Sequence, residues 1–170
     1  ASCLVGSEMC IRDRIYYPQQ GKVLTHSLKY GYVSAHPFIF KDTLLNNIIY
    51  GNEHLYIEED QISSLLKEFE TFKTEAEYDL DRVISNKTLS SGQMQKIGFL
   101  RILVSKPEII LLDESTSNMD KDSKSIVFKK LQENNTTIIN STHDPKSFGF
   151  ADHHYEIIID NENRKVNKVF

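Results

Sequence analysis

The 170-residue chain has no long apolar run and no excess of basic charge. A membrane-spanning helix needs roughly 18 to 20 consecutive apolar residues, whereas the strongest apolar run beside a motif, Ile109–Leu112, is short enough for a buried strand. The formal net charge is −4 at pH 7, so we expect no broad attraction to nucleic acid and no nucleic-acid partner. Any membrane role must come from another segment or another chain.

Cysteine is almost absent, since only Cys3 and Cys10 occur. Two cysteines are too few for a disulfide framework, and their scarcity fits a reducing compartment. Residues 1–14 show neither strand nor helix periodicity, and they lack the continuous apolar segment of a signal peptide. Val5 to Arg14 resembles a leader that arises when adapter DNA is translated in frame with a coding sequence; the alternative is a genuine first helix of unusual sequence. We expect 1–14 to be non-native and 15–170 to be a partial domain.

The rest of the chain has the composition of a folded globular protein, with 39% hydrophobic and 26% charged residues. Strand and helix patterns alternate along it, which predicts an α/β fold with parallel strands. We expect the segment from Phe72 to Thr88 to be loop-rich, and Asp42 to cap the helix that follows it. The predicted strands are Lys22–Leu24, Tyr30–Ser34, Glu108–Leu112 and Thr136–Asn140, the predicted helices are Thr43–Tyr50, Glu58–Thr71, Ser91–Lys106 and Asp120 to about Glu133, and a hairpin pairs His153–Ile159 with Arg164–Val169.

The most specific segment of the sequence is Leu89-Ser90-Ser91-Gly92-Gln93, where a loop ends and a helix begins. A helix N-terminus presents unsatisfied N–H donors and partial positive charge, so phosphate binds there readily. Small residues let the backbone approach an anion closely. Taken alone, such a segment is more often a helix cap without a ligand.

Two carboxylates follow the buried strand Ile109–Leu112, at the strand end where α/β folds place their ligands. A carboxylate such as Asp113 suits Mg²⁺, which prefers oxygen ligands and often keeps several waters. Its neighbour Glu114 could orient and deprotonate an attacking water. His143 comes just past the next predicted strand; an isolated histidine there is more often structural than catalytic.

Taken together, these segments resemble the nucleotide-binding domain of ABC transporters, in its exporter-type form. Leu89–Gln93 resembles the family signature with Ser91 in place of a glycine, and Ile109–Glu114 resembles the Walker B motif. Together with four further segments, they occur in family order between Ile15 and about Ile159. The others are the turn Tyr16–Gly21, the Q-loop region Gly31–Phe40 with its continuation to Gly51, the D-loop Ser117–Asp120 and the switch-histidine loop Ser141–Asp144.

The resemblance implies a P-loop NTPase-like ABC ATPase fold with a parallel core sheet, a helical subdomain at about 43–106 and a C-terminal β-hairpin. It implies ATP and Mg²⁺ as cofactors, with Asp113 holding the metal, Glu114 as general base and His143 contacting the γ-phosphate. The signature and D-loop residues would serve ATP held by a second nucleotide-binding domain. These residues are Ser90, Ser91, Gly92, Gln93 and Asp120.

The resemblance also implies a location and a second partner. Residues 38–47 would face the transmembrane domain of the transporter, and the chain would act at the cytoplasmic face of the cell membrane. The transported substrate cannot be inferred, because the membrane domain determines it.

The sequence departs from the family pattern at three places. No Gly-x-x-x-x-Gly-Lys-Ser/Thr phosphate-binding loop occurs. We expect truncation before or within this Walker A region, with its first strand and phosphate loop missing; the alternative is a degenerate cassette that never bound nucleotide in this way. Ala35 stands at the Q-loop glutamine, where His36 could take part of its role or simply be a surface histidine. The segment Asp81–Thr88 lacks the Gly-Glu pair usual in exporters.

The leading hypothesis is therefore an ATP-hydrolysing module that powers transport across a membrane. A degenerate regulatory or structural cassette that acts only with an intact partner is the alternative, and Glu114 argues against it. An ABC-type ATPase of DNA repair or translation is disfavoured by the acidic net charge and by the ending of the signature in Gln93.

We predict that this chain binds ATP weakly or not at all and does not turn over. The backbone N–H groups and lysine of a phosphate-binding loop normally supply most of the nucleotide's anchoring, while Asp113 and Glu114 add two negative charges. Titration with a fluorescent ATP analogue should show no saturation at micromolar concentrations. Clear saturable binding there would contradict the prediction.

Overall fold

The computed structural model describes residues 29–133, 136–144, 149, 151–160 and 163–169. These residues fall into two compact units, 29–140 and the described part of 141–170. The expected strand Lys22–Leu24, both cysteines and the expected leader lie outside the described residues. The elements in chain order are β1 (Tyr30–Ser34), β2 (Asp42–Thr43), α1 (Leu44–Ile49), α2 (Glu59–Glu68), a 3-10 helix (Glu75–Tyr78), β3 (Val83–Ile84), α3 (Ser91–Ser105), β4 (Ile109–Asp113), α4 (Lys121–Gln132), β5 (Thr137–Ser141), β6 (Tyr155–Asp160) and β7 (Asn163–Lys168).

The core sheet of the first unit has the strand order β1-β4-β5. Strands β1 and β4 are parallel, with Tyr30 opposite Ile109 and Ser34 opposite Asp113. Val33 is buried on β1, and Ile110 and Leu112 are buried on β4, whereas Ile109 and Leu111 on the other face of β4 are only partly buried. The predicted α/β fold with a parallel core sheet is confirmed.

Helix α3 crosses this sheet and packs against both β1 and α1. Ile97, Phe99 and Leu100 on it are fully buried, and buried residues lie on more than one side of the helix. A Cβ added to Gly98 would lie 3.0 Å from Cγ of Pro37 and 3.1 Å from Cγ1 of Val33. Glycine at position 98 therefore lets the helix approach the end of β1 closely.

Helix α1 is held by a buried polar residue. Asn47 is fully buried; its Nδ2 donates to the carbonyl oxygens of Phe40 at 3.1 Å and Thr43 at 2.9 Å, and its Oδ1 accepts from Phe40 N at 2.9 Å. The Arg101 guanidinium, whose pKa burial lowers to about 10, donates to Asn47 O and Oδ1 and to Phe38 O. The loop before α1 is thereby tied to α3.

One sequence expectation for this region needs correction. Thr43, not Asp42, caps α1, because the Thr43 hydroxyl accepts from Asn46 N at 3.1 Å; Asp42 lies one residue further back and accepts from Thr43 N instead. The segment from Phe72 to Thr88 is loop-rich as expected, apart from the 3-10 helix and strand β3, which pairs antiparallel with β2. Each of these strands has only two residues, which is too short to give a period-2 signal.

The C-terminal hairpin is confirmed in the second unit. Strands β6 and β7 are antiparallel, with Tyr155 opposite Lys168 and Asp160 opposite Asn163. Among the described residues, no helix is both long and apolar enough to cross a membrane.

We predict that Asn47→Ala lowers the free energy of unfolding by about 3 kcal/mol, because several buried backbone and guanidinium groups lose their partner together. The matched control is Asn46→Ala on the same helix. The Asn46 side chain is exposed and donates to Asp42 Oδ1 at 2.9 Å, so we expect a loss of about 0.5 kcal/mol or less. Urea unfolding followed by circular dichroism compares them; equal losses would contradict the assignment of Asn47 as an anchor.

Candidate functional site

The signature segment begins α3 with a capping box. The Ser90 Oγ accepts a hydrogen bond from Gln93 N at 3.2 Å, and the Gln93 Oε1 accepts one from Ser90 N at 2.9 Å. This reciprocal pair satisfies two backbone N–H groups at the helix start. The side chains of Ser90 and Gln93 therefore both form the helix cap.

The capping box leaves the backbone N–H groups of Ser91 and Gly92 as donors in the first turn. In the part of the chain that the structure describes, neither N–H group has a hydrogen-bond partner. A Cβ on Gly92 would lie 3.0 Å from the carbonyl oxygen of Asn118. The absence of a side chain at Gly92 therefore brings the signature close to the turn that follows β4.

A pocket of about 610 Å³ lies at this end of α3. Its walls come from the segment after α2, from the start of α3 and from the segment before α4. It brings together five of the eight sequence-predicted site residues, namely Ser90, Ser91, Gly92, Gln93 and Asp120; Asp113 and Glu114 do not line it. The remaining lining residues are Glu70, Thr71, Phe72, Lys73, Tyr78, Lys96, Asn118, Met119 and Ser123.

A buried lysine contributes positive charge to the pocket wall. Lys96 is 8% exposed, and its Nζ donates to Glu70 O at 2.9 Å. Glu70 has φ +47°, in the left-handed region, at the C-terminal turn where Thr71 N bonds back to Leu66 O. Burial lowers the pKa of Lys96, and the negative charges of Asp120 and Glu70 oppose that shift.

Asp120 caps α4, as the sequence predicts. Its carboxylate accepts from Ser123 N and from Ser123 Oγ, both at 2.8 Å. Because hydrogen bonds from the Ser123 backbone and hydroxyl stabilise the ionised form, they lower the pKa of Asp120 below its ordinary value. Asp120 therefore has a structural role in addition to its place at the pocket.

Asp113 ends β4 directly opposite Ser34, the last residue of β1. The hydroxyl of Tyr32, two residues earlier on β1, donates to Asp113 Oδ2 at 3.3 Å. The ends of the two parallel strands, followed by Ala35 on one and Glu114 on the other, thus meet at one edge of the sheet. This is the edge where ligands bind in open α/β sheets.

Glu114 has φ +49°, in the left-handed region, which costs a non-glycine residue on the order of 1–2 kcal/mol. The following turn holds it there, since Ser117 N donates to Glu114 O at 3.1 Å and Met119 N donates to Thr116 O at 3.1 Å. Glu70 and Lys106 adopt the same conformation at helix C-termini, so the φ angle by itself assigns no role to Glu114.

His143 belongs to the second unit. It follows β5 after one intervening residue, and its side chain is exposed. Asp144 N donates to Thr142 Oγ1 at 3.1 Å, which turns the chain at this point. The role of His143 therefore stays a prediction based on its place in the sequence.

Sequence reasoning missed three residues that organise the site, namely Tyr32, Gln95 and Lys96. Gln95 and Lys96 are polar yet buried, and they lie on a helix whose core-facing residues the sequence identifies. The available signal was two adjacent polar side chains directly before the core-facing residues that begin at Ile97. Their partners, however, lie at least 22 residues away along the chain, and no local pattern identifies such partners.

The motif resemblance is borne out by comparison with known proteins. The family model described as "ABC transporter" matches residues 2–117, more than half of the chain. The chain belongs to the ABC transporter family. The matched range includes residues 2–14, and the expectation that 1–14 are non-native stays a prediction.

Curated relatives are similar over about three quarters of this ABC transporter chain. It is 32% identical over 144 residues to ABC transporter B family member 21 of Arabidopsis thaliana, which covers 75% of this chain and 11% of that protein. It is 31% identical over 122 residues to the SPbeta prophage-derived sublancin-168-processing and transport ATP-binding protein SunT of Bacillus subtilis, covering 70% of this chain and 17% of that protein. The chain thus spans a small part of each relative's length.

A solved structure supports the fold. A bacterial Atm1-family ABC exporter with ATP bound superimposes with a TM-score of 0.62 at 24% identity, over 74% of this chain and 23% of that one. At this level of identity the similarity concerns the fold alone, and the fold is that of an ABC exporter's nucleotide-binding domain.

We predict that Asp120→Ala lowers the free energy of unfolding by about 1 kcal/mol at pH 7, the usual effect of losing an N-cap. Because the folded-state pKa of Asp120 is lowered, this contribution is present above the unfolded pKa of about 3.9 and is lost as pH falls through the folded value. Urea unfolding at several pH values from 7 to 2 measures the difference.

Asp120→Asn is the control for this prediction, because asparagine caps a helix about as well as aspartate. We expect it to remain within about 0.5 kcal/mol of the original chain at pH 7. A loss on Asp120→Ala that does not change with pH, or that Asp120→Asn reproduces, would contradict the capping role of the carboxylate.

Proposed function

We propose that this chain is part of an ATP-binding and hydrolysing module that powers transport across a membrane in an exporter-type ABC transporter. The observation that carries the proposal is the start of α3, where the signature presents two N–H donors of a helix N-terminus beside a pocket of about 610 Å³. Donors in this position favour an anion such as a phosphate group.

The signature end would bind the phosphates of ATP held by a second nucleotide-binding domain. In support, the backbone N–H groups of Ser91 and Gly92 are left over by the capping box, and the positive end of the helix dipole and Lys96 favour negative charge. In this proposal Ser90 and Gln93 act by holding the cap, and Asp120 lies at the interface between the two domains. The second domain would be either an identical copy of this domain or a domain of a different chain.

The β4 end would act on the nucleotide of this chain's own domain. Oxygen ligands at a strand end fit Mg²⁺, which is commonly held through one or two carboxylates while it keeps several waters. Asp113 would hold Mg²⁺ through water, with its orientation fixed by Tyr32. Bound ATP supplies the phosphoryl group that is transferred to water.

The residues around that phosphoryl group have separate tasks. Glu114 would accept the proton of the attacking water, because it directly follows Asp113 at the end of β4 and so lies beside the proposed metal ligand. His143 would contact the γ-phosphate. Phosphoryl transfer depends mainly on positioning and charge stabilisation, so dividing the site between two domains makes hydrolysis depend on their closure.

An exposed aromatic cluster supports a docking surface for the transmembrane domain. Phe38 and Tyr50 are 61% and 52% exposed, and Phe40 lies between them, with ring centroids 4.7 Å from Phe38 and 4.3 Å from Tyr50. The Arg101 guanidinium lies 5.8 Å from the Tyr50 ring. Exposed aromatic rings on a rigid base favour protein–protein contact. The module would therefore work at the cytoplasmic face of the membrane, held there by its transmembrane partner.

One observation favours a second candidate, a degenerate cassette that acts only with an intact partner. Ala35 follows β1 at the sheet edge beside Asp113, where its methyl group can neither ligate Mg²⁺ nor orient water. The carboxylate of Glu114 argues for the first candidate, because a structural cassette has no need of a general base directly after Asp113.

We predict that Glu114→Gln abolishes ATP hydrolysis but leaves ATP binding intact, when tested in this domain joined to a phosphate-binding loop. Glutamine keeps the size and hydrogen bonding of glutamate but cannot accept the proton. Phosphate release and nucleotide binding should be measured side by side, with a loss in rate of about 100-fold or more.

The matched control is Glu108→Gln. Glu108 directly precedes β4, at the opposite end of the strand from Glu114, and its side chain is exposed. We expect it to change neither rate nor binding. Unchanged turnover in Glu114→Gln would show that Glu114 is not the base. If the unsubstituted domain, joined to the same phosphate-binding loop, does not hydrolyse ATP, the degenerate cassette is favoured.

A further inference from the structure

Gln95 is fully buried on α3 and has no part in the roles described so far. Its Nε2 donates to the carbonyl oxygen of Ala35 at 2.9 Å and to Ser117 Oγ at 3.3 Å. Its Oε1 accepts from Asn118 N at 3.2 Å. One side chain therefore contacts both the loop after β1 and the turn after β4.

These contacts join segments that are far apart in the sequence. Ala35 lies 60 residues before Gln95, and Asn118 lies 23 residues after it. A primary amide satisfied at both ends in a buried site is costly to break, because each backbone group would be left without its partner. The amide uses the carbonyl of residue 35 and the N–H of residue 118, so the link is independent of the side chains at those positions.

We propose that Gln95 is a positioning residue that holds the loop after β1 and the turn after β4 to the first turns of α3. The strand ends at Ser34 and Asp113 lie side by side, and Gly92 lies against Asn118 O. With Gln95 between them, the signature and the acidic end of β4 move as one body. The consequence for hydrolysis rests on the proposed function, whereas the link itself does not.

The link also bears on the departure at Ala35. Because Gln95 bonds the main chain at position 35, replacement of glutamine by alanine there removes a polar side chain but leaves the loop in place. A partner residue or ligand that approaches this edge of the sheet would meet an ordered loop.

Amide hydrogen exchange measured by NMR on the chain, without nucleotide, tests the proposal. In Gln95→Met, which has similar size but no hydrogen-bonding amide, Asn118 N–H should exchange about fivefold to tenfold faster than it does in the original chain. The rates are taken relative to the core amides of Val33 and Leu112, which report general loss of stability. The carbonyl ¹³C resonance of Ala35 should shift as well, because its hydrogen bond is lost.

Two further variants separate positioning from packing. In Gln95→Glu at pH 5, where burial favours the protonated carboxyl group, the acid O–H can donate to Ala35 O and the other oxygen can accept from Asn118 N, so Asn118 should regain its protection and the Ala35 resonance should return towards its original position. Ala35→Ser, which keeps the backbone carbonyl, should leave Asn118 exchange unchanged. Should Gln95→Met fail to fold, loss of both signals in Gln95→Glu as the pH is raised provides the same comparison.

The proposal is overturned if Asn118 exchange in Gln95→Met changes only in proportion to Val33 and Leu112, or if Gln95→Glu at pH 5 exchanges as fast as Gln95→Met. An unshifted Ala35 carbonyl in Gln95→Met would also overturn it. None of these results depends on ATP, so a failure of the proposed ATPase function leaves this test intact.

Discussion

The close packing of α3 on β1 is the constraint on which the described site depends. Gly98 permits it, since any side chain there would meet Pro37 and Val33 at about 3 Å. With the helix axis held this near the sheet, side chains of α3 bond the neighbouring loops directly: Gln95 bonds the strand-end loops, and Arg101 bonds the loop before α1. A helix held further from the sheet would lose these hydrogen bonds.

Much of the fold follows from patterns that are local in the sequence. The apolar run Ile109–Leu112 predicts β4 within one residue of its observed bounds. The cap at Ser90 and the helix breaker Pro107 mark the limits of α3, because each acts on its own neighbours. The pairing of β2 with β3 could not be predicted in this way. It joins residues about 40 positions apart through two short strands, and only tertiary packing selects that partner.

In the candidate site, too, the features that are local in the sequence could be predicted and the long-range contacts could not. The start of α3 was predicted in two forms, as a helix cap and as an anion site, and the geometry reconciles them: the cap uses the N–H groups of Ser90 and Gln93, while those of Ser91 and Gly92 remain as donors. The residue types at the ends of β4 and α4 were likewise readable from the sequence. The role of Gln95 could not be predicted, because its amide bonds residues that are 60 and 23 positions away in the sequence. The sequence does not distinguish a buried glutamine that bonds helix carbonyls from one that bonds distant loops.

The two ends of the site offer a phosphate group different partners, and this bears on how the site could work. The signature end offers the N–H donors of a helix N-terminus, which favour an anion, together with the buried Lys96. Because the carboxylates of Glu70 and Asp120 line the same pocket, the donors and not the net charge make this end suited to a phosphate. The end of β4 carries Asp113 and Glu114, so it repels an anion unless a cation is present. Neither Asp113 nor Glu114 lines the pocket at the signature. In the proposed arrangement each end would therefore act on a different nucleotide, the signature end on that of a second domain and the end of β4 on that of this domain.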